Sequence, residues 1–318
     1  MEINDKIDVA IQSYKKPESL ILTLLYLKKY MNDMIDTIYI NDDCSKDGTL
    51  SFYDKKFIDT MKPINILIRE NSKPSGYTHT CMTKESFKKK KFIKKLQLIG
   101  HVLIKRCKFY QTDNDIRYQW AINSTHKKYI FLIHDDMLFF GNVLEVYLNE
   151  IKNNPNMAIV GDLGGSRRCP FGPCGTKECS AKKIMNGYRP TKKYPITGKK
   201  SFFHTLLGRY NRSCRINEWC CVLNVEIARK LVREEGTYFG NYEGGGDVGT
   251  FWFDRIINKG YEFSDPLPTK ADRDKYYLHW WIGHSGHSVW VNEDGTGKKE
   301  YEKNIILRKL YDEFGYKI

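Results

Sequence analysis

Tyr39-Ile40-Asn41-Asp42-Asp43-Cys44-Ser45-Lys46-Asp47-Gly48-Thr49 is an apolar strand that ends in a burst of carboxylates. A buried strand that stops at two adjacent aspartates presents them at its carboxyl edge, which in open α/β sheets is where ligands bind. Ser45 to Thr49 reads as a polar turn leading into a helix whose N-terminus lies close by. The plainer alternative is an Asp-rich turn in which Asp47 or Ser45 caps that helix, since turns favour these residues on their own account.

Working outward, residues 7–11 read as a first strand, 13–17 as a loop, and 18–30 as a helix with leucines at helical spacing. Further strands are expected at 38–40, 64–68 and 129–133. A helix around 117–123 lies between the last two. Strands alternating with helices imply an α/β fold with a mainly parallel, doubly wound sheet. The fourth strand ends at His134-Asp135-Asp136-Met137, again with carboxylates at a carboxyl end, although the same residues would also serve as an N-cap. Beyond it, 157–160 and 219–223 read as strands and 225–234 as a helix. The turn Gly244-Gly245-Gly246-Asp247 precedes a helix at 249–259, and 298–314 reads as a C-terminal helix.

With 318 residues there is ample chain for one large or two modest domains. No apolar run reaches the roughly 18 residues a spanning helix needs. The first residues are polar and acidic, unlike a secretory signal, so the expected location is cytoplasmic, with membrane association left open. A formal charge of +14 favours an anionic partner: a nucleotide sugar, an anionic lipid surface or nucleic acid.

The cations are concentrated. Lys84, Lys88 to Lys91, Lys94, Lys95, Lys105, Arg106 and Lys108 share one stretch, within which Phe92, Leu96, Ile99 and Leu103 follow a 3-4 spacing. That pattern is a basic amphipathic helix. Its stripe either faces the core behind a solvated lysine face or lies on an anionic membrane. No aromatic-basic platform or helix-turn-helix pattern speaks for nucleic acid.

Residues 164–215 are rich in Gly, Pro, Cys, Lys and Arg with little periodicity, so an inserted lobe that needs a cross-link is expected there. Cys169, Cys174, Cys179 and Cys214 are its candidate ligands for a structural Zn²⁺, with reduced thiols or disulfides as alternatives. The chain then divides into 1–163, with a basic helical insertion at about 71–115; 164–215, the cysteine lobe; 216–295; and 296–318, a terminal helix.

Two acidic clusters at strand ends suit a diphosphate held through Mn²⁺ or Mg²⁺, which prefer hard oxygen ligands. Asp136 is the metal candidate, Asp135 a second ligand or ribose contact, and Asp42 or Asp43 an acceptor for a base imide. In this order the motifs resemble the GT-A glycosyltransferases, most closely their family 2. Val9 to Pro17 resembles the opening strand and loop. Asp42-Asp43-Cys44-Ser45-Lys46-Asp47-Gly48-Thr49 is similar to the Asp-Asp-Gly-Ser-x-Asp-Gly-Thr signature, with Cys44 in place of glycine. His134-Asp135-Asp136 is similar to the Asp-x-Asp motif, with His134 where its first Asp often stands. Cys221 to Leu231 resembles the acceptor-side strand and helix. Gly246-Asp247 resembles the Glu-Asp motif with its Glu replaced, and His284-Ser285-Gly286-His287 the terminal histidine segment. The resemblance covers roughly residues 7 to 70 and 116 to 290.

It implies sugar transfer from a nucleotide-diphosphate donor to a hydroxyl of a glycan or lipid-linked acceptor, inverting and dependent on a divalent metal. The implied donor-binding set is Ser13, Tyr14, Asp42, Asp43, Arg69, Asp135 and Trp219. Asp136 and His284 would hold the metal. Asp247 is the expected catalytic base, with Glu218 the competing carboxylate. Each has a plainer reading: Asp247 as an N-cap, Glu218 as a structural acid, the tryptophans as core. The alternatives are a nucleotidyltransferase, against which the loop from Gln12 to Pro17 lacks a phosphate-binding glycine, and a non-catalytic binding protein on a transferase fold.

Overall fold

Runs of β-branched and leucine residues broken by polar turns build alternating strands and helices in the computed structural model, which describes residues 6–46, 48–75, 79–164, 215–243, 248–280 and 303–318. The first part of the chain gives β1 (Ile7–Ser13), α1 (Pro17–Met31), β2 (Ile35–Asp42), α2 (Lys55–Met61) and β3 (Asn65–Glu70). There follow β4 (Thr80–Thr83), α3 (Lys84–Lys88), α4 (Phe92–Leu103), β5 (Cys107–Tyr110) and α5 (Gln119–Ser124). The middle holds β6 (Tyr129–Ile133), β7 (Met137–Phe139), α6 (Val143–Lys152), β8 (Met157–Gly164), β9 (Arg215–Asn224) and α7 (Val225–Glu235). The last part gives α8 (Thr250–Asn258), β10 (Glu262–Ser264), α9 (Lys270–Arg273), β11 (Tyr277–His279) and α10 (Lys303–Phe314).

Seven strands form the central sheet in the order β10-β8-β9-β6-β1-β2-β3. In β1, Val9 and Ile11 face one side and Ala10 the other; in β6, Phe131 and Ile133 share the first side, Ile130 and Leu132 the second. Both faces are buried, as a mainly parallel sheet with helices on each side requires. α1, α2, α6 and α10 fill one side, and α5, α7 and α8 the other. The expected α/β fold is present.

β9 is the exception in direction. It runs antiparallel between β6 and β8, with Cys221 opposite Leu132 and also opposite Gly161. A Cβ at Gly161 would stand 2.7 Å from Cys220 O, so glycine is what lets these strands approach so closely. Reversal of β9 brings its opening residues, Arg215 to Trp219, to the carboxyl edge of β6. Cys220 and Cys221 are buried free thiols whose ionisation burial opposes.

Three expectations change. No α-helix follows directly on Ser45 to Thr49: a 3₁₀ turn (Thr49–Phe52) comes first, and α2 begins at Lys55 behind Asp54, whose side chain accepts from Phe57 N. The basic segment holds the expected amphipathic helix as α4, but a separate short helix, α3, precedes it and β5, which pairs with β4, follows. Finally, the stripe of α4 does not face the core: Phe92, Leu96, Ile99 and Leu103 are 74%, 54%, 47% and 78% exposed. No helix among the described residues is long and apolar enough to cross a membrane.

Candidate active site at the carboxyl edge of the sheet

Register places the edge. Ser13 ends β1 opposite Asp42 of β2, and Asp43 N donates to Ser13 O at 2.8 Å. Asp42 accepts from both Ser45 N and Ser45 Oγ at 2.7 Å, which folds the signature back on its own strand. Burial pushes the Asp42 carboxyl up against those two bonds. Cys44, which stands where the signature has glycine, sits at φ +66°, a left-handed backbone that glycine adopts at least cost. Asp43 accepts from Asn71 Nδ2, Ser75 N and Ser75 Oγ at 2.8, 2.8 and 2.9 Å. It therefore holds the segment after β3 against the edge.

Arg69, in β3, donates to Asn41, Asn71 and the Asn114 carbonyl and pairs with buried Asp115. Tyr14 lies in the loop after β1 with Lys15 Nζ 5.4 Å above its ring. The neighbouring Lys16 is buried and reaches the second cluster: its Nζ lies 2.8 Å from Asp135 Oδ1 and 3.4 Å from Asp136 Oδ2.

That cluster is fixed from both sides. Ser19 Oγ of α1 donates to Asp135 O at 2.9 Å, and Met137 N donates to Thr23 Oγ1 at 3.1 Å. β7 leaves directly from Asp136 and pairs antiparallel with β11, which sets His279 opposite Met137. His279 Nε2 thereby lies 3.1 Å from Asp136 Oδ1. His134 Nδ1 is 3.9 Å from the same oxygen, and its Nε2 is 3.7 Å from Glu218 Oε1. Glu218 is in turn held by Arg215 Nη2 at 2.9 Å. Trp219 closes the wall, its ring 5.1 Å from that of His279.

Burial alone would raise the Asp136 carboxyl, but Lys16, His279 and His134 hold it well below the usual range. Asp135 goes the other way, raised by burial and by Asp136 despite Lys16. Burial would also raise Glu218, yet Arg215 and His134 keep it firmly ionised.

One ligand atom each from His134, Asp136 and His279 lie within 4.8 Å of one another, the metal-competent group found among the described residues. Asp135 Oδ2 is buried close by without a hydrogen-bond partner. A carboxylate with two imidazoles suits a divalent transition ion such as Mn²⁺. The donor set fits, with Lys16 supplying positive charge beside it.

Sequence reasoning placed Asp135, Asp136, Glu218 and Trp219 in the site, and they converge. It left the role of position 134 open and missed Lys16 and His279. His279 lies in Tyr277-Leu278-His279, where the alternation of a short strand was the available signal. Asp247, His284, Cys169, Cys174, Cys179 and Cys214 lie outside the described residues.

No protein-family model matches the sequence, and no curated protein matches it. Among solved structures, the chain is similar to a mannosyltransferase from Pyrobaculum calidifontis in complex with GDP-mannose and Mn²⁺, at TM-score 0.46 and 12% identity over 90% of this chain and 62% of that one. It is similar to core-mannan synthase A from Aspergillus fumigatus in an Mn/GDP form, at TM-score 0.41 and 12% identity over 88% and 76%. It is also similar to residues 1–349 of TarS from S. aureus, at TM-score 0.42 and 12% identity over 97% and 72%. The chain spans less than two thirds of the length of the first of these.

Proposed function

We propose that this protein is a glycosyltransferase that moves a hexosyl group from a nucleotide-diphosphate donor to a hydroxyl of a glycan or lipid-linked acceptor, with inversion. The observation that carries the reading is the convergence of His134, Asp136 and His279 at the carboxyl edge of β6. Ligands of α/β sheets sit at that edge, and the motifs around it follow the order of a GT-A enzyme of the family 2 type.

Asp136, His279 and His134 would hold Mn²⁺ or Mg²⁺. When bound, the ion supplies Lewis-acid stabilisation of the departing diphosphate. Lys16 adds a second positive charge beside the two aspartates, positioned to meet a phosphate oxygen. Asp43, a carboxylate that can accept from a base imide, contacts the base. Asp135 and Tyr14 border the ribose, Ser13, Asp42 and Arg69 shape the nucleotide side, and Trp219 offers a ring face to the sugar.

In transfer, the bond between the anomeric carbon and the diphosphate oxygen breaks, its electron pair leaving with the diphosphate. The acceptor oxygen forms the new bond and surrenders its proton to a carboxylate. Asp247 is the base in this reading. Glu218 is less suited, because a carboxyl held so far below its usual range is a poor proton acceptor. Its place beside His134 fits an orienting role.

The test is a screen of UDP-, GDP- and dTDP-sugars with Mn²⁺, scoring free nucleoside diphosphate. Release from one donor with acceptor glycosylated supports transfer. Pyrophosphate release from a nucleoside triphosphate and a sugar phosphate would identify a nucleotidyltransferase, and binding without turnover a non-catalytic protein.

A further inference from the structure

α4 carries its charge inward and its apolar stripe outward. Phe92, Leu96, Ile99 and Leu103 form the exposed stripe, while Leu98 and His101 are buried on the opposite face. Lys94, on that inner face, places Nζ 3.6 Å from Glu243 Oε1 and 4.5 Å over the Phe251 ring. Lys90, just before the helix, donates to Glu243 Oε2 at 2.9 Å and to Thr237 Oγ1 at 3.1 Å. Glu243 is fully buried.

These ion pairs set the rotation of the helix. Turning it to bury the stripe would pull Lys94 away and leave Glu243 short of a partner in the interior, which is strongly unfavourable. The stripe thus faces outward because the charged face is committed elsewhere.

The surroundings of the stripe are cationic. Lys84, Lys88, Lys89, Lys91, Lys105 and Arg106 are exposed in the segments that flank α4 in the chain, Lys88 reaching Glu85 and Lys89 the Val232 carbonyl, and Glu85 is the one acidic residue from position 84 to 108. An exposed apolar helix face flanked by lysine and arginine is the arrangement that binds the surface of an anionic bilayer.

We propose that α4 is an interfacial helix: Phe92, Leu96, Ile99 and Leu103 enter the boundary between headgroups and acyl chains of an anionic membrane, and the flanking cations meet lipid phosphates and carboxylates. Charge complementarity selects this occupant. A second copy docked by two-fold symmetry would set the same lysines against one another. The chain's own segment 165–214 contains 12 Lys and Arg against one acidic residue, Glu178, so it too would be repelled. The inference goes beyond sugar transfer and stands without it, since binding to vesicles needs no donor.

The test is co-sedimentation of the whole chain with vesicles of phosphatidylcholine alone and with about 30% phosphatidylserine, in about 0.1 M salt. Binding is expected to the anionic vesicles and not to the neutral ones. The pair Leu96→Ser and Leu103→Ser should weaken it about tenfold or more. Replacing Lys88, Lys89 and Lys91 with Gln should cost roughly fivefold per lysine. Thermal unfolding midpoints of both variants should match the parent, because these side chains are exposed. Equal sedimentation with both vesicle types, no loss in the leucine variant, or no binding by the parent would overturn the proposal. So would a dimer in solution that the leucine variant dissolves, which would make a second copy the occupant.

Discussion

His279 Nε2 stands 3.1 Å from Asp136 Oδ1 although 143 positions separate the two residues in the chain. The contact exists because β7 starts where the aspartates end and β11 pairs with it, so one short ribbon delivers the imidazole to the carboxylate. With His134, two positions before Asp136 at the end of β6, this makes a site from two places in the chain.

Two imidazoles and a carboxylate should discriminate among ions. Nitrogen ligands favour Mn²⁺ over Mg²⁺, so Mn²⁺ should bind more tightly in calorimetric or paramagnetic-resonance titration. His279→Ala should weaken Mn²⁺ at least about tenfold, the lower end of losses seen even for residues one step removed from a metal. Equal affinity for the two ions, or unchanged Mn²⁺ binding in His279→Ala, would assign the ion to other ligands.

Lys16 offsets two buried carboxylates. Lys16→Met should cost about 3–5 kcal/mol of stability, the usual result of stripping a partner from buried charge. Saturating Mn²⁺ should recover part of that loss in the variant, since an ion that binds only the folded state stabilises it, by about 2.7 kcal/mol at 100 times its dissociation constant. Chemical denaturation with and without Mn²⁺ reads both effects. A variant as stable as the parent would mean that the aspartates do not need the lysine.

Asp265, just after β10, has a different consequence. Burial, with Asp162 nearby, pushes its carboxyl up to about 7, despite donors from Leu163 N and Leu267 N. The folded state therefore holds a proton that the unfolded chain releases near pH 4. Between about pH 4 and 7 this group makes stability fall as pH rises, and the loss is complete above pH 7. Asp265→Asn should remove that slope, so the variant gains on the parent by roughly 2–3 kcal/mol from pH 5 to pH 8. A constant difference in denaturation free energy across that range would show that Asp265 ionises normally.

Cys44 occupies a left-handed backbone position in the strand-end signature. Relief of that strain and the added freedom of the unfolded chain nearly offset each other in Cys44→Gly, so its stability should stay within about 1 kcal/mol of the parent. Cys44→Val should lose about 1–2 kcal/mol, because a β-branched side chain tolerates this conformation poorly. Equal stability of the two variants would argue that the turn rearranges.

The fold was legible where local pattern suffices. Apolar runs at 7–11, 38–40, 64–68 and 129–133 each became a strand, and the aspartates that end two of them lie at one edge. His279 escaped because a three-residue strand has almost no periodicity, and its pairing with β7 is a long-range event that no window contains. Lys16 escaped because a lysine in a loop looks solvated until the carboxylates it meets are placed. In α4 the spacing identified which residues share a face but not which face meets the protein. Buried Glu243, far along the chain, decides that by drawing Lys90 and Lys94 inward.

In the proposed reaction, Asp136 and His279 together hold the ion on which transfer depends. The direct measurement is donor-dependent release of nucleoside diphosphate with Mn²⁺ by the parent, Asp136→Asn and His279→Ala, with a chelator arm for the parent. The chelator and each substitution should reduce turnover by about 100-fold or more while thermal unfolding shows both variants folded. Full turnover in chelator, or near-parent turnover in both variants, would contradict it.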